Sequence, residues 1–180
     1  MVSKILGIDF DDTLVATGAA FRQYHTEQYG CSNDLFRGTE EGLRRGYEFI
    51  NSYRHILIPA IEGAIETIEK LRRKCTLVIV TVRDTSLQKP TLLLMEKHFR
   101  DTFKDIHFLH TQKINTFGTK GDVCKKYNIE EFVDDSLEHA EAVYNAGKTS
   151  FLFGTPINLR EKTAGIIRIS NWKEILEYIQ

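Results

Sequence analysis

Residues 4–14, KILGIDFDDTL, decide the fold. The run from Lys4 to Asp9 is a short aliphatic strand, and it ends in an acidic cluster, Asp9, Asp11 and Asp12. Outward from it, short β-like runs alternate with helical ones. Ile61, Ala64, Ile65, Ile68 and Leu71 recur at helical spacing, and residues 76–82 (TLVIVTV) are continuously apolar, as a strand buried on both faces would be. Next come a predicted helix over 89–99, a strand over 105–109, a helix opening at Thr119 and a strand over 131–135. Ser136 is placed to cap a helix that stops at Gly147. A strand over 149–153, a last strand over 166–169 and a terminal helix through Trp172, Ile175, Leu176 and Ile179 complete the prediction. Strands separated by helices need crossover connections, so the class is α/β with a mostly parallel sheet covered on both faces.

Composition narrows the function classes. The chain has 180 residues, 24 Lys+Arg against 25 Asp+Glu, and 42% apolar residues. That length suits one main domain burying about 70% of its unfolded surface. A net charge of −1 gives no footprint for a nucleic-acid polymer, though a single nucleotide is compatible with it. The longest apolar run near a strand, residues 77–80, is too short to span a bilayer, and Asp9 interrupts the N-terminus before a secretory segment could form. Cys31, Cys75 and Cys124 stand far apart with no Cys-x-x-Cys pair, which points to reduced thiols and a cytoplasmic setting rather than a disulfide or zinc framework.

The polar groups collect at strand ends. Ligands of open α/β sheets bind beyond the carboxyl ends of the strands. Here one such end carries Asp9, Asp11, Asp12 and Thr13, another Thr81 and Arg83, and a third Asp134 and Asp135, with Lys120 opening the helix before it. A single Asp after a strand is ordinarily a turn or cap. Three carboxylates within four residues, facing a second pair, repel unless a cation neutralises them or some are protonated. An oxygen-rich set of this kind suits Mg²⁺.

The run DFDDTL at residues 9–14 resembles the first motif, Asp-x-Asp-x-Thr, of the haloacid dehalogenase superfamily of aspartyl-phosphate phosphatases. Thr81, Lys120 and the pair Asp134-Asp135 follow in that family's order. FLFGTPIN at residues 151–158 and RISNWKE at 168–174 resemble its deoxyribonucleotidase-like branch, in which a Pro-x-Asn follows the fifth strand and an Asn-Trp lies near the end. The resemblance implies a Rossmann-like sheet of order 3-2-1-4-5. It implies a catalytic core over 1–15 and 60–180, with a small helical cap over 16–59 inserted after strand one.

The resemblance also assigns roles. Asp9 would be the nucleophile, and Asp11 the general acid and base, its neutral form favoured by its carboxylate neighbours. Thr81 and Lys120 would bind the phosphoryl group. The Mg²⁺ ligands would be Asp9, the backbone carbonyl of Asp11, Asp134 and, directly or through water, Asp135. Arg83 could contact substrate phosphate or form a surface ion pair. Lys113 rivals Lys120 for the basic role, but Lys120 opens the helix that feeds the motif strand. Asp12 suits a turn better than catalysis, and Thr13 a loop-shaping role.

In the insertion Phe21, Tyr24, Tyr47 and Phe49 could stack on a base, yet a short insertion must bury something, so most of them should form its own core. Arg22, Arg44 and Arg45 are candidates for the phosphate entrance. His98, His107, His110 and His139 show no metal spacing. The resemblance implies a Mg²⁺-dependent phosphomonoesterase, with a nucleoside 5′- or 3′-monophosphate as leading substrate (a 5′-nucleotidase) and a small sugar or cofactor phosphate as the alternative. A phosphoacceptor module is the non-enzyme alternative, although its motif order differs. The expected partner is a small phosphorylated metabolite, without nucleic-acid polymer or membrane, and the expected assembly a monomer or homodimer.

Overall fold

The computed structural model describes residues 4–36, 38–110 and 118–179. Its frame is one six-stranded sheet in the order β3-β2-β1-β4-β5-β6, every adjacent pair parallel. The strands are β1 (Ile5–Ile8), β2 (Thr76–Asp84), β3 (Asp105–His110), β4 (Glu131–Asp134), β5 (Thr149–Phe153) and β6 (Ile167–Ile169). The expected order 3-2-1-4-5 holds, with β6 extending the edge beyond β5. Strand order reverses at β1, which pairs with β2 on one side and β4 on the other.

Alternation along the central strands sends side chains to two cores. Leu6, Ile8, Leu77, Ile79, Val133 and Phe151 pack with Leu71, Leu94 and Trp172 on one face. Val78, Val80, Leu109 and Phe132 pack with Val123, Cys124 and Val143 on the other. The first face is covered by α3 (Ala64–Leu71) and α4 (Gln88–Phe99), the second by α5 (Lys120–Lys126) and α6 (Leu137–Asn145). Gly7 lets β1 sit against the second core, since a Cβ there would lie 2.4 Å from the Phe132 ring and 2.9 Å from Ile129.

Between β1 and α3 lies a helical insertion of α1 (Thr17–Tyr29), α2 (Glu40–Asn51) and two 3₁₀ turns, Asn33–Phe36 and Tyr53–Leu57. Phe21, Tyr24 and Phe49 pack together with ring centroids 5.1–6.5 Å apart, and they join the cluster on the first face of the sheet instead of forming a separate core of the insertion. Tyr47 is outside that cluster, 41% exposed, with its hydroxyl 3.1 Å from Ser86 Oγ just beyond β2. Two of the three arginines expected at an entrance find partners within the insertion. The Arg45 guanidinium lies 4.1 Å from both the Tyr29 and Phe36 rings and donates to His25, while Arg44 pairs with Glu41 and Glu48. Arg22 stays exposed on α1.

Two predicted helices come out shorter. The helix expected from Ile61 starts only at Ala64, because the Ile61 amide turns back to donate to the Leu14 carbonyl and Gly63 follows at φ 76°. The terminal helix is a single 3₁₀ turn, Glu174–Glu177. Glu174 reaches back to the Ser170 amide and the Asn171 side chain, which folds the start of the segment into a turn while Trp172, Ile175 and Ile179 still reach the core. No helix among the described residues is long and apolar enough to cross a membrane.

Candidate active site

The carboxyl ends of β1, β2 and β4 meet at the reversal of strand order, as open α/β sheets dictate. The Asp9 amide donates to the Val133 carbonyl at 2.9 Å, which continues the β1–β4 ladder one residue and brings Asp9 level with the end of β4. Lys120, the first residue of α5, is wedged between the two acids, with Nζ 2.5 Å from Asp9 Oδ1 and 2.6 Å from Asp134 Oδ2. A capping box fixes that helix start: the Thr119 hydroxyl accepts from the Asp122 amide, and the Asp122 carboxylate accepts from the Thr119 amide. Gly121 permits the close approach of α6, because a Cβ there would lie 2.2 Å from the Ala142 carbonyl oxygen. All three charged groups are buried, Lys120 to 1% exposure and Asp134 completely.

One ammonium does not balance this cluster. Asp9, Asp134 and Asp135 offer carboxylate oxygens all within 4.8 Å of one another. Burial, with Asp134 and Asp11 nearby, pushes the Asp9 carboxyl up to about 7 despite Lys120. Burial, with Asp9, Asp134 and Asp12, pushes Asp135 up to about 8. Burial also acts on Asp134, but the Lys120 charge and the His139 ring, 3.5 Å away, outweigh it and hold that group below the usual carboxylate range. Burial disfavours the Lys120 charge, and its two acid partners more than restore it. A set of hard oxygen donors that would otherwise take up protons fits a divalent cation such as Mg²⁺.

Asp11 faces a different partner from the one expected. Its carboxylate is gripped by Arg83, with Nε 2.8 Å from Oδ2 and Nη2 2.7 Å from Oδ1, and it accepts from the Thr17 hydroxyl at 2.5 Å. Burial raises this carboxyl, but the Arg83 charge and these hydrogen bonds outweigh it, so Asp11 is held low and ionised rather than neutral. Arg83 is correspondingly no surface residue. Its side chain is 3% exposed, lies over the Phe10 ring and donates from Nη1 to His55 and Thr91. Burial and the Arg83 charge push His55 down to about 4, so it stands neutral as the acceptor.

The remaining motif residues complete the edge. Thr81 is wholly buried, and its hydroxyl accepts from the Arg83 amide, which leaves the hydroxyl hydrogen for another acceptor. Asp12 takes the turn role: φ is 55°, and Oδ1 accepts from the Gly18 amide at 2.8 Å. Thr13 is completely buried in the same loop. Ser136 does not cap α6 with its side chain; its amide donates to Asp134 Oδ1 instead. Lys113 lies outside the described residues. A cavity of about 740 Å³ along α4, lined by Thr85, Leu92, Phe99 and Ile106 among others, contains none of these groups.

Residues that sequence reasoning passed over are Thr17, His55 and Thr91, which surround Asp11 and Arg83. No spacing rule marks them, because each arrives from a different element. Asn158 and Trp172 stand out in the sequence only as part of a tail signature, yet they donate to the Asp135 and Thr13 carbonyls respectively.

The parallel α/β sheet that carries this acid–lysine–acid cluster has a known fold. Comparison with solved structures gives that fold directly. The chain superposes on a haloacid dehalogenase-like family hydrolase, SP0104 of Streptococcus pneumoniae, with TM-score 0.72 at 14% identity, covering 99% of each chain. YfnB of Bacillus subtilis, described as a "putative HAD-hydrolase" and solved bound to magnesium, gives 0.70 at 16% identity, again over 99% of each. A "putative phosphoglycolate phosphatase" of Lactobacillus delbrueckii subsp. bulgaricus gives 0.69 at 15% identity over 99% of each. In sequence, the chain is 24% identical to the "Putative nucleotidase YqfW" of Bacillus subtilis (strain 168), over 97% of this chain and 92% of that protein. No family model matches the sequence. The chain has the haloacid dehalogenase fold.

Proposed function

We propose that the protein is a Mg²⁺-dependent phosphomonoester hydrolase that works through an aspartyl-phosphate. The observation that carries this reading is Lys120 shared between Asp9 and Asp134, with Asp135 completing a carboxylate trio beside them. Asp9, Asp134, Asp135 and the backbone carbonyl of Asp11 would hold the cation. When bound, it supplies positive charge that lets an anionic nucleophile approach a phosphate dianion.

Asp9 attacks phosphorus, and the bond to the leaving oxygen breaks as the Asp9–phosphorus bond forms. Lys120 and the Thr81 hydroxyl neutralise and orient the phosphoryl oxygens. Asp11 gives a proton to the leaving oxygen and later takes one from the water that cleaves the aspartyl-phosphate. The ionised Asp11 seen here is set for that second step. Its first step requires a protonated carboxyl, so the Arg83 grip must loosen as substrate enters.

Nucleoside monophosphates, 5′ or 3′, are the proposed substrates. The likeness to a protein named as a nucleotidase over nearly the whole chain supports this, together with Pro156-Ile157-Asn158 and Asn171-Trp172. A small sugar or cofactor phosphate is the second reading, favoured by the phosphoglycolate phosphatase name of a structural neighbour. Phosphate release from a panel of phosphorylated metabolites, with Mg²⁺ and with chelator, separates the two: indifference to every nucleotide removes the first. Asp9→Asn should abolish release from a generic aryl phosphate, and undiminished turnover would sink the covalent mechanism. An acyl phosphate that persists for minutes to hours instead of seconds would indicate a phosphoacceptor switch.

A further inference from the structure

We propose that Asn158 and Trp172 are positioning residues for the two acidic loops, so that the chain beyond β5 belongs to the framework of the site. The inference rests on the cation-binding reading above. Asn158 is 2% exposed, and its amide is fully used. Nδ2 donates to the Asp135 carbonyl at 2.7 Å and to the Phe153 carbonyl at 2.8 Å. Oδ1 accepts from the Thr155 amide at 3.0 Å and from Arg168 Nη1 at 3.1 Å. Arg168, in β6, also donates to the carbonyls of Asn158 and Glu161, which ties that part of the connection to the edge strand. Through this one side chain the edge of the sheet is bonded to the main chain of Asp135, the residue that follows Asp134.

Trp172 does the equivalent on the first acidic loop. Its ring is completely buried against Phe153, with centroids 5.7 Å apart, and Nε1 donates to the Thr13 carbonyl at 2.9 Å. Among the described residues, neither side chain is hydrogen-bonded to a carboxylate. Each satisfies a main-chain carbonyl in a loop that carries one. A buried carbonyl left without a donor moves to find another, and the attached carboxylates move with it. Packing alone would not require these two donors, since a ring or an isosteric acid fills the same space.

Asn158→Asp keeps the shape and both acceptor contacts but has no N–H to give, so a carboxylate would face two carbonyls. Trp172→Phe keeps a ring and loses the donor. Ile175→Ala, in the same tail and wholly buried, is the packing control. Calorimetric titration with Mg²⁺ and amide hydrogen exchange of the cation-free protein are the two readouts. Asn158→Asp is expected to weaken Mg²⁺ binding and speed exchange at Ser136 by about tenfold or more each, and Trp172→Phe to do the same at residues 12–14. Ile175→Ala is expected to lower the melting temperature and leave Mg²⁺ affinity in place.

Unchanged Mg²⁺ affinity and exchange in both donor variants would overturn the proposal, as would losses that simply track melting temperature across all three. If Asn158→Asp does not fold, Trp172→Phe decides. If the wild-type protein binds no Mg²⁺, the functional reading falls, and the exchange measurement alone judges the positioning role.

Discussion

Arg83 meets Asp11 in a two-pronged ion pair across 72 residues of chain, with both carboxylate oxygens engaged at 2.7 and 2.8 Å. The guanidinium fork fits this arrangement, and its third nitrogen reaches His55 and Thr91. Lysine carries the same charge without the fork. Arg83→Lys should therefore not rescue what Arg83→Gln loses, about 2–4 kcal/mol of stability, since Asp11 keeps some solvent and the full cost of a broken buried pair is not reached. Urea unfolding measures the loss, and an NMR titration of the Asp11 carboxyl should show it rising once burial is no longer opposed by the Arg83 charge. A Lys variant as stable as wild type would contradict the paired geometry.

Lys120 bridges two buried acids, and the His139 ring approaches Asp134 alone, at 3.5 Å. Lys120→Met should cost about 3–5 kcal/mol near neutral pH in chelator. Mg²⁺ should restore more of the melting temperature in this variant than it adds to wild type, because it replaces the missing charge. Turnover should be lost in either condition. Equal Mg²⁺ shifts in the two proteins would argue that the ion does not sit beside these carboxylates.

The raised carboxyls set a pH dependence for cation binding. Asp9 at about 7 and Asp135 at about 8 hold protons at lower pH, and a cation must displace them. Mg²⁺ affinity should rise with pH from about 6 to about 9, with protons released on binding. Titration calorimetry in buffers of different ionisation heat reads that release. In the cation-free protein the same two groups act the other way. Their folded values lie above the unfolded value of 3.8, so their contribution to stability declines as pH rises from about 4 to about 8.

His55 has the opposite sign again. Its folded value of about 4 lies below the unfolded 6.5, so the unfolded chain binds the extra proton as the medium is acidified. Stability is lost as pH falls from about 6.5 toward 4. His55→Gln keeps a neutral acceptor for Arg83 and removes this titration. The difference in unfolding free energy between the two proteins should shrink or reverse over that window, and a constant difference would mean that His55 is not the neutral acceptor described.

Gly121 is the packing counterpart of these electrostatic tests. A methyl group there meets the Ala142 carbonyl, which is backbone and cannot swing aside. Gly121→Ala should push α5 from α6 and shift Lys120, its chain neighbour, with a cost of about 1–3 kcal/mol for overpacking. Turnover should fall by more than the stability loss predicts.

The strands were legible because each is a dense apolar run, and the acids at their ends because carboxylates so close together have few structural excuses. Residues 76–82 appear as part of β2, and Asp9, Asp134 and Lys120 converge as their order implied. What the sequence hid was pairing. Arg83 looked equally suited to phosphate or solvent because nothing local says that Asp11, His55 and Thr91 surround it. Asp11 was expected to be neutral from its chain neighbours, whereas a partner far along the chain decides its charge. Arg45 looked like an entrance residue until the Tyr29 and Phe36 rings closed on it. The terminal helix failed for a local reason, the turn that Glu174 makes with Ser170 and Asn171.

β1 comes first in the chain and lies inside the sheet, between β2 and β4. On a ribosome, its edge toward β4 must wait, unpaired, until residues 131–134 have been made, and Asp9 must wait for a lysine 111 positions away. A half-made chain therefore holds an open hydrophobic edge and no closed acid–lysine cluster. The acid–lysine cluster on this plan is all or none: it closes only once residues 131–134 are made, so a product truncated before them should lack the site however well its first half has collapsed.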